Sequence, residues 1–227
     1  MRIVFSSLTA VALAAVASVA SAQYGYSNSY TQARAPIQWH IMGGAAVTAG
    51  QTSDYLDTGF TVGGGLTFRP DPISPFSLRA DLAFSRFNAT NNLLNIGAEQ
   101  NRTEIDDGWG DIVTFDVDGV LDIPLGQRVR GYVMAGVGGA YRRIDLTQTA
   151  GFAGYFCDDW YGYCGVGVVP GDVLVQREET TRFAWNAGVG LEFPLYGTQS
   201  FFVEARYNRM QTANPTEFIP IRFGYRF

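Results

Sequence analysis

The chain has 227 residues, with 16 arginines, no lysine, 21 acidic residues and one histidine; its formal net charge is −5, and 47% of it is hydrophobic against 16% charged. That apolar share excludes a disordered chain, and the lack of any polybasic stretch gives no reason to expect nucleic acid as a partner. Beyond residue 22 no apolar run approaches the roughly 20 residues of a spanning helix, yet a mean hydropathy of +0.01 does not mark a soluble protein, because strict alternation of apolar and polar residues averages to the same value.

The first element reads as an address. Met1 and Arg2 form a charged start, Leu8 to Val19 is an apolar stretch, and Ala20, Ser21 and Ala22 supply the small residues of a cleavage site. Residues 1–22 are therefore expected to be a signal peptide, with the mature chain starting at Gln23. Residues 23–36, polar and rich in Tyr, read as a periplasmic N-terminal tail with no assigned task.

From Ile37 to Phe227 the sequence falls into eight segments of about ten residues that alternate with period two between turn-rich stretches, the pattern of β-strands. One face carries Ile37 to Val47, Phe60 to Phe68, Phe76 to Phe84, Val113 to Ile123, Val129 to Tyr141, Thr181 to Phe193, Phe201 to Tyr207 and Ile219 to Phe227, every second residue, and none of these is charged. The opposite face carries Arg79, Asp81, Asp116, Asp118, Asp122, Arg130, Arg142, Arg182, Glu192, Glu204, Arg206, Arg222 and Arg226.

A soluble sheet hides its apolar face, whereas a membrane barrel turns that face to lipid and folds the charges inward. The second arrangement fits better. Arginines and carboxylates are nearly balanced on the charged face, as mutual pairing in a closed lumen requires. Aromatic residues such as Trp39, Phe68, Phe84, Tyr141, Phe193 and Tyr207 crowd the strand ends, as interfacial girdles do. The connections also alternate: Arg69 to Pro75, Pro124 to Arg128 and Pro194 to Ser200 are short, while Thr48 to Asp57, Arg86 to Asp111, Arg143 to Thr180 and Asn208 to Glu217 are longer. The expected fold is thus all-β, an eight-stranded antiparallel transmembrane up-and-down barrel over residues 37–227, with short periplasmic turns, long extracellular loops and closure of the first strand on the last.

The ending FIPIRFGYRF, with Phe223, Tyr225 and Phe227 on one face, resembles the last strand of bacterial outer-membrane barrels. The chain from about Ile37 is similar to the small outer-membrane β-barrel family, the OmpA-type and OmpX-type eight-stranded proteins that include opacity-like antigens. The resemblance implies location in the Gram-negative outer membrane, contact with its lipid and lipopolysaccharide, and reading of Phe223, Tyr225 and Phe227 as a C-terminal assembly signal by the barrel-assembly machinery. Unlike OmpA itself, the sequence stops at the barrel, so no peptidoglycan-binding domain is expected after it.

Some eight-stranded barrels modify lipid A with a histidine and a hydroxyl or acidic partner, which brings His40 into question. Its neighbours are Trp39, Ile41 and Met42, and no nucleophile motif accompanies it. No catalytic, cofactor-binding or metal-ligating residue is assigned, and no cofactor is expected. Eight strands enclose a space just wide enough for side chains, so the charged residues are expected to fill the lumen as a salt-bridged plug. Glycines on the same face, Gly136, Gly138, Gly188 and Gly190 among them, either leave room for the arginines or ease strand curvature.

The outer connections hold an excess of acid, with Asp111, Asp145, Asp172, Glu178 and Glu179 among the carboxylates and Arg86, Arg102, Arg143, Arg177 and Arg209 as the cations. This acidic crown either shares divalent cations with lipopolysaccharide phosphates, meets a basic partner, or is simply a solvated surface. In the third long connection Cys157 and Cys164 bracket DDWYGY and are expected to form a disulfide, since zinc would want more thiols or histidines than the chain owns. The aromatic residues around them, including Phe152, Tyr155 and Trp160, suit either a surface ligand or packing on the barrel mouth. The sequence is read as a structural or adhesin-like surface protein and not an enzyme, with a narrow small-solute channel as the alternative and a lipid A-modifying enzyme behind that.

Overall fold

The computed structural model describes residues 35–71, 74–126, 129–158, 160, 162–195 and 197–227. The expected signal peptide, and all but the last two residues of the expected tail, lie outside the described residues. The strands are β1 (Ile37–Ala49), β2 (Gly59–Phe68), β3 (Phe76–Asn88), β4 (Asp107–Pro124), β5 (Arg130–Asp158), β6 (Tyr163–Pro194), β7 (Ser200–Met210) and β8 (Thr216–Arg226), with a short 3-10 helix (Gly50–Asp54) after β1 and an α-helix, α1 (Asn91–Asn101), between β3 and β4. Each strand pairs antiparallel with its sequence neighbours, and β1 pairs with β8 from His40 opposite Arg226 to Ala49 opposite Glu217. The sheet therefore closes on itself, and no edge is left for lipid to face.

The pleat decides which side chains leave the barrel. On β1 Trp39 and Ile41 face outward while Gln38, His40 and Met42 are buried; on β3 Leu78 and Leu82 face outward while Arg79 and Asp81 are buried. The same holds for exposed Phe115 and Val117 against buried Asp116 and Asp118, and for Phe223 against Arg222. An exterior of this kind would be costly in water at about 25 cal/mol per Å² of apolar surface, and is at home in hydrocarbon.

Two connections expected to be loops are ordered elements. The stretch Arg143 to Thr180 is a β-hairpin: β5 and β6 pair without interruption from Arg130 opposite Glu192 out to Asp158 opposite Tyr163, with one register shift between Leu146 and Thr147. Turn-forming glycines and Pro170 within it hid the pairing. Between Arg86 and Asp111, Thr90 caps α1 by accepting the Leu93 N–H, and Arg102 ends it in a left-handed conformation, φ 53°. Eleven residues with little amphipathic periodicity give no strong helical signal; Leu93, packed against the apolar cluster at the barrel mouth, and buried Gly97 tie α1 to the barrel.

Candidate functional site

The lumen is layered. At its centre Arg79 from β3 donates through Nε to Asp81 Oδ1 at 2.9 Å and through Nη1 to Glu204 Oε2 on β7 at 2.7 Å. Arg206 donates through Nη2 to Asp81 Oδ2 at 2.6 Å, and its Nη1 lies 3.0 Å from Asp118 Oδ2 and 3.8 Å from Asp116 Oδ2. Arg222 reaches Glu204 at 3.7 Å. Neutral donors complete the set: Tyr132 gives its hydroxyl to Glu204 at 2.9 Å and Asn186 its amide to Asp118 at 2.8 Å. Arg79–Asp81 lies within β3 and Arg222–Glu204 joins neighbouring strands, while Arg79–Glu204, Arg206–Asp81 and Arg206–Asp118 join strands far apart in sequence; all are almost wholly enclosed.

Towards the periplasmic turns, Arg226 donates to Glu192 at 3.0 Å and Arg69 to Asp122 at 2.8 Å. Arg69 lies in a short turn just past the end of β2 and so escaped a reading based on strand alternation. Arg130 sits opposite Glu192 in the β5–β6 ladder. Arg142 and Arg182 stand apart from the enclosed network: Arg142 donates to Thr216 and Glu178 at the outer mouth, and Arg182 is exposed. The expected lumen set thus divides by height in the barrel.

The outer part of the lumen is apolar. Phe87, Ile112, Ala140, Ala184, Met210 and Phe218, joined by Ala46 and by Leu56 from the first loop, form one buried cluster, and Phe87 meets Phe218 edge-on with centroids 5.5 Å apart. Sequence reasoning followed the charges on this face and missed the cluster, although the parity of Phe87, Ile112, Met210 and Phe218 places them inward. Glycine makes room at the polar level: a Cβ on Gly136 would run into Asp118 and the Val117 carbonyl, and one on Gly190 into the Tyr132 ring.

His40 is buried beside this network, its Nε2 2.8 Å from Asp81 Oδ1 and its ring edge-on to Phe202. Among the described residues no group of three or more metal-ligating side chains comes together.

At the outer surface Cys157 and Cys164 face each other across β5 and β6, Cα atoms 4.1 Å apart, and form a disulfide. Tyr155, Val166, Val168 and Trp160 of the same hairpin are exposed, Trp160 to 89%. The acids Asp111 and Asp145, expected in the exposed acidic crown, are instead buried beneath Arg86, Arg143 and Arg177. The hydrogen bond to Asp145 raises the Arg177 guanidinium further above its ordinary value, as Asp111 does for Arg86.

A closed eight-stranded barrel with an apolar belt outside and paired charges inside is an integral protein of the bacterial outer membrane. The family model for the outer membrane protein beta-barrel domain matches residues 4–227, and the chain belongs to that family. Among solved structures it is similar to a major outer membrane protein from Thermus thermophilus (13% identity, 85% of this chain and 99% of that one, TM-score 0.52). It is also similar to Neisserial surface protein A (11% identity, 85% of this chain and 96% of that one, TM-score 0.51). At such identities the likeness is one of fold. No curated protein matches.

Proposed function

We propose that this barrel is a non-enzymatic structural and surface-interacting protein that anchors a rigid hairpin outside the outer membrane. The observation that carries the reading is the continuation of β5 and β6 beyond the apolar belt as one paired, disulfide-closed ribbon. The last belt residue of β5 is Tyr141, so the sixteen or so residues to Asp158 would span roughly 50 Å at the usual rise per residue. Exposed Tyr155, Val166, Val168 and Trp160 on this ribbon provide contact area with little rotamer freedom to lose. Its ligand is a molecule or cell surface with a complementary apolar patch.

The filled lumen supports this reading over that of a small-solute channel. A solute would have to displace both the buried ion pairs around Arg206 and the apolar cluster around Phe87. The lumen residues Arg79, Asp81, Asp116, Asp118, Glu204, Arg206 and Arg222 are proposed to lock the strands together, while Phe223, Tyr225 and Phe227 serve the assembly machinery and the belt contacts lipid and lipopolysaccharide. The reading is tested by cell adhesion with Trp160→Ala and Tyr155→Ala variants that still fold: adhesion is expected to fall with each, and undiminished adhesion overturns the ligand-binding role. In planar bilayers the wild-type barrel is expected to show no steady current, and a steady large conductance overturns the plug.

A further inference from the structure

The outward-facing charged residues just above the apolar belt cluster on one side of the barrel. Two positions beyond the belt residues Phe84, Val113 and Tyr141, a step of about 7 Å along each strand, stand Arg86, Asp111 and Arg143, followed by Asp145 on β5 and Arg177 opposite it on β6. Arg86 donates through Nε and Nη2 to Asp111 at 2.7 and 2.8 Å, and Arg177 through the same two nitrogens to Asp145 at 2.7 and 3.2 Å. Arg143 bridges the two, 3.0 Å from Asp145 and 3.7 Å from Asp111. The carboxylates lie underneath, with side chains 9% and 1% exposed, while those of Arg86, Arg143 and Arg177 are 43%, 33% and 44% exposed.

This is a ladder that shows its guanidinium side to the surroundings. The buried carboxylates hold the forks in place through Nε and Nη2, and among the described residues no hydrogen bond engages Nη1 of Arg86 or of Arg177, which can serve an acceptor outside the protein. The Arg86 guanidinium also rests over the Phe84 and Trp109 rings, which fixes it at the edge of the belt. One acid stays on the exposed side: Glu179, opposite Arg143, which is engaged by the Tyr141 hydroxyl. Across the barrel the corresponding level holds, among the described residues, the pair Arg209 and Glu217 at 3.2 Å.

We propose that Arg86, Arg143 and Arg177 form a docking site for a phosphate of an outer-leaflet lipid headgroup, specifically the phosphomonoester of lipid A. Height above the belt and exposed forks held from below by buried carboxylates match a phosphorylated headgroup lying against the barrel wall. The site deepens the lipid contact proposed above and rests on the same orientation in the membrane, but it is independent of adhesion by the hairpin.

The test is equilibrium binding of purified, refolded full-length protein to bisphosphorylated lipid A, to the same lipid A with its phosphates removed, and to phosphatidylglycerol, with native mass spectrometry counting bound lipid. The triple variant Arg86→Gln, Arg143→Gln, Arg177→Gln is expected to lose about tenfold or more in affinity for bisphosphorylated lipid A, and Arg209→Gln to lose none. Single Arg177→Gln, at an exposed position, is expected to lose a smaller part and serves if the triple variant does not fold. Equal binding of dephosphorylated lipid A, or no loss in the variants, overturns the site. Preferential binding of phosphatidylglycerol overturns the lipid A assignment, and loss of wild-type binding in chelator overturns direct guanidinium contact in favour of a bridging divalent cation. Failure here with adhesion intact leaves the hairpin reading standing.

Discussion

Arg206 of β7 and Asp81 of β3 meet at 2.6 Å in the middle of the barrel, 125 residues apart in the chain and on strands that are not neighbours. A bond across the lumen ties opposite walls together in a way the strand ladders cannot.

Asp81 also accepts from Arg79 and lies against His40, so its removal leaves two buried guanidinium groups short of a partner. Asp81→Ala is expected to destabilise the barrel by about 3–5 kcal/mol, read as a lower urea midpoint for the compact, heat-modifiable form. An unchanged midpoint would mean that the lumen network adds nothing to stability.

Glycines separate by which wall they face. Gly136→Leu drives a side chain into Asp118 and the Val117 carbonyl and is expected to abolish the folded band on gels, whereas Gly139→Ala meets no atom within 4 Å and is expected to fold as the wild type does. Equal behaviour of the two variants would refute the account of a closely filled lumen.

The hairpin and the barrel are expected to respond separately to reduction. Cys157→Ser with Cys164→Ser removes a short cross-link worth about 2 kcal/mol locally. Faster protease cleavage near Trp160 is expected with no change in heat-modifiability, and loss of the barrel band would show that the ribbon and the barrel fold as one unit.

The last residue closes the barrel through its backbone, Phe227 N–H to Trp39 O at 3.0 Å and Trp39 N–H to Phe227 O at 3.2 Å. Phe227→Ala keeps both bonds and removes only the ring. Refolding into detergent is expected to be unaffected while the amount reaching the outer membrane in cells falls several-fold; normal cellular levels would remove Phe227 from the assembly signal.

Much of the architecture is legible in the amino-acid sequence. Alternation on β1, β3 and β8 named the outward residues Trp39, Ile41, Leu82 and Phe223 and the inward residues His40, Arg79, Asp81 and Arg222, because a strand has only two faces and a period of two. What periodicity could not supply was height. Arg142 and Arg182 share the parity of Arg79 yet lie at the mouth, and the paired hairpin carried no clear alternation through its glycines.

The amino-acid order alone settled the strand number and the direction in which each alternating side chain points, since both follow from local backbone geometry. Only closure of the sheet decided which charges meet. Barrel tilt and stagger set which strand's residue lies at which level, and so bring Arg206 to Asp81 across the interior and stack Arg86, Arg143 and Arg177 over Asp111 and Asp145 on the outer wall.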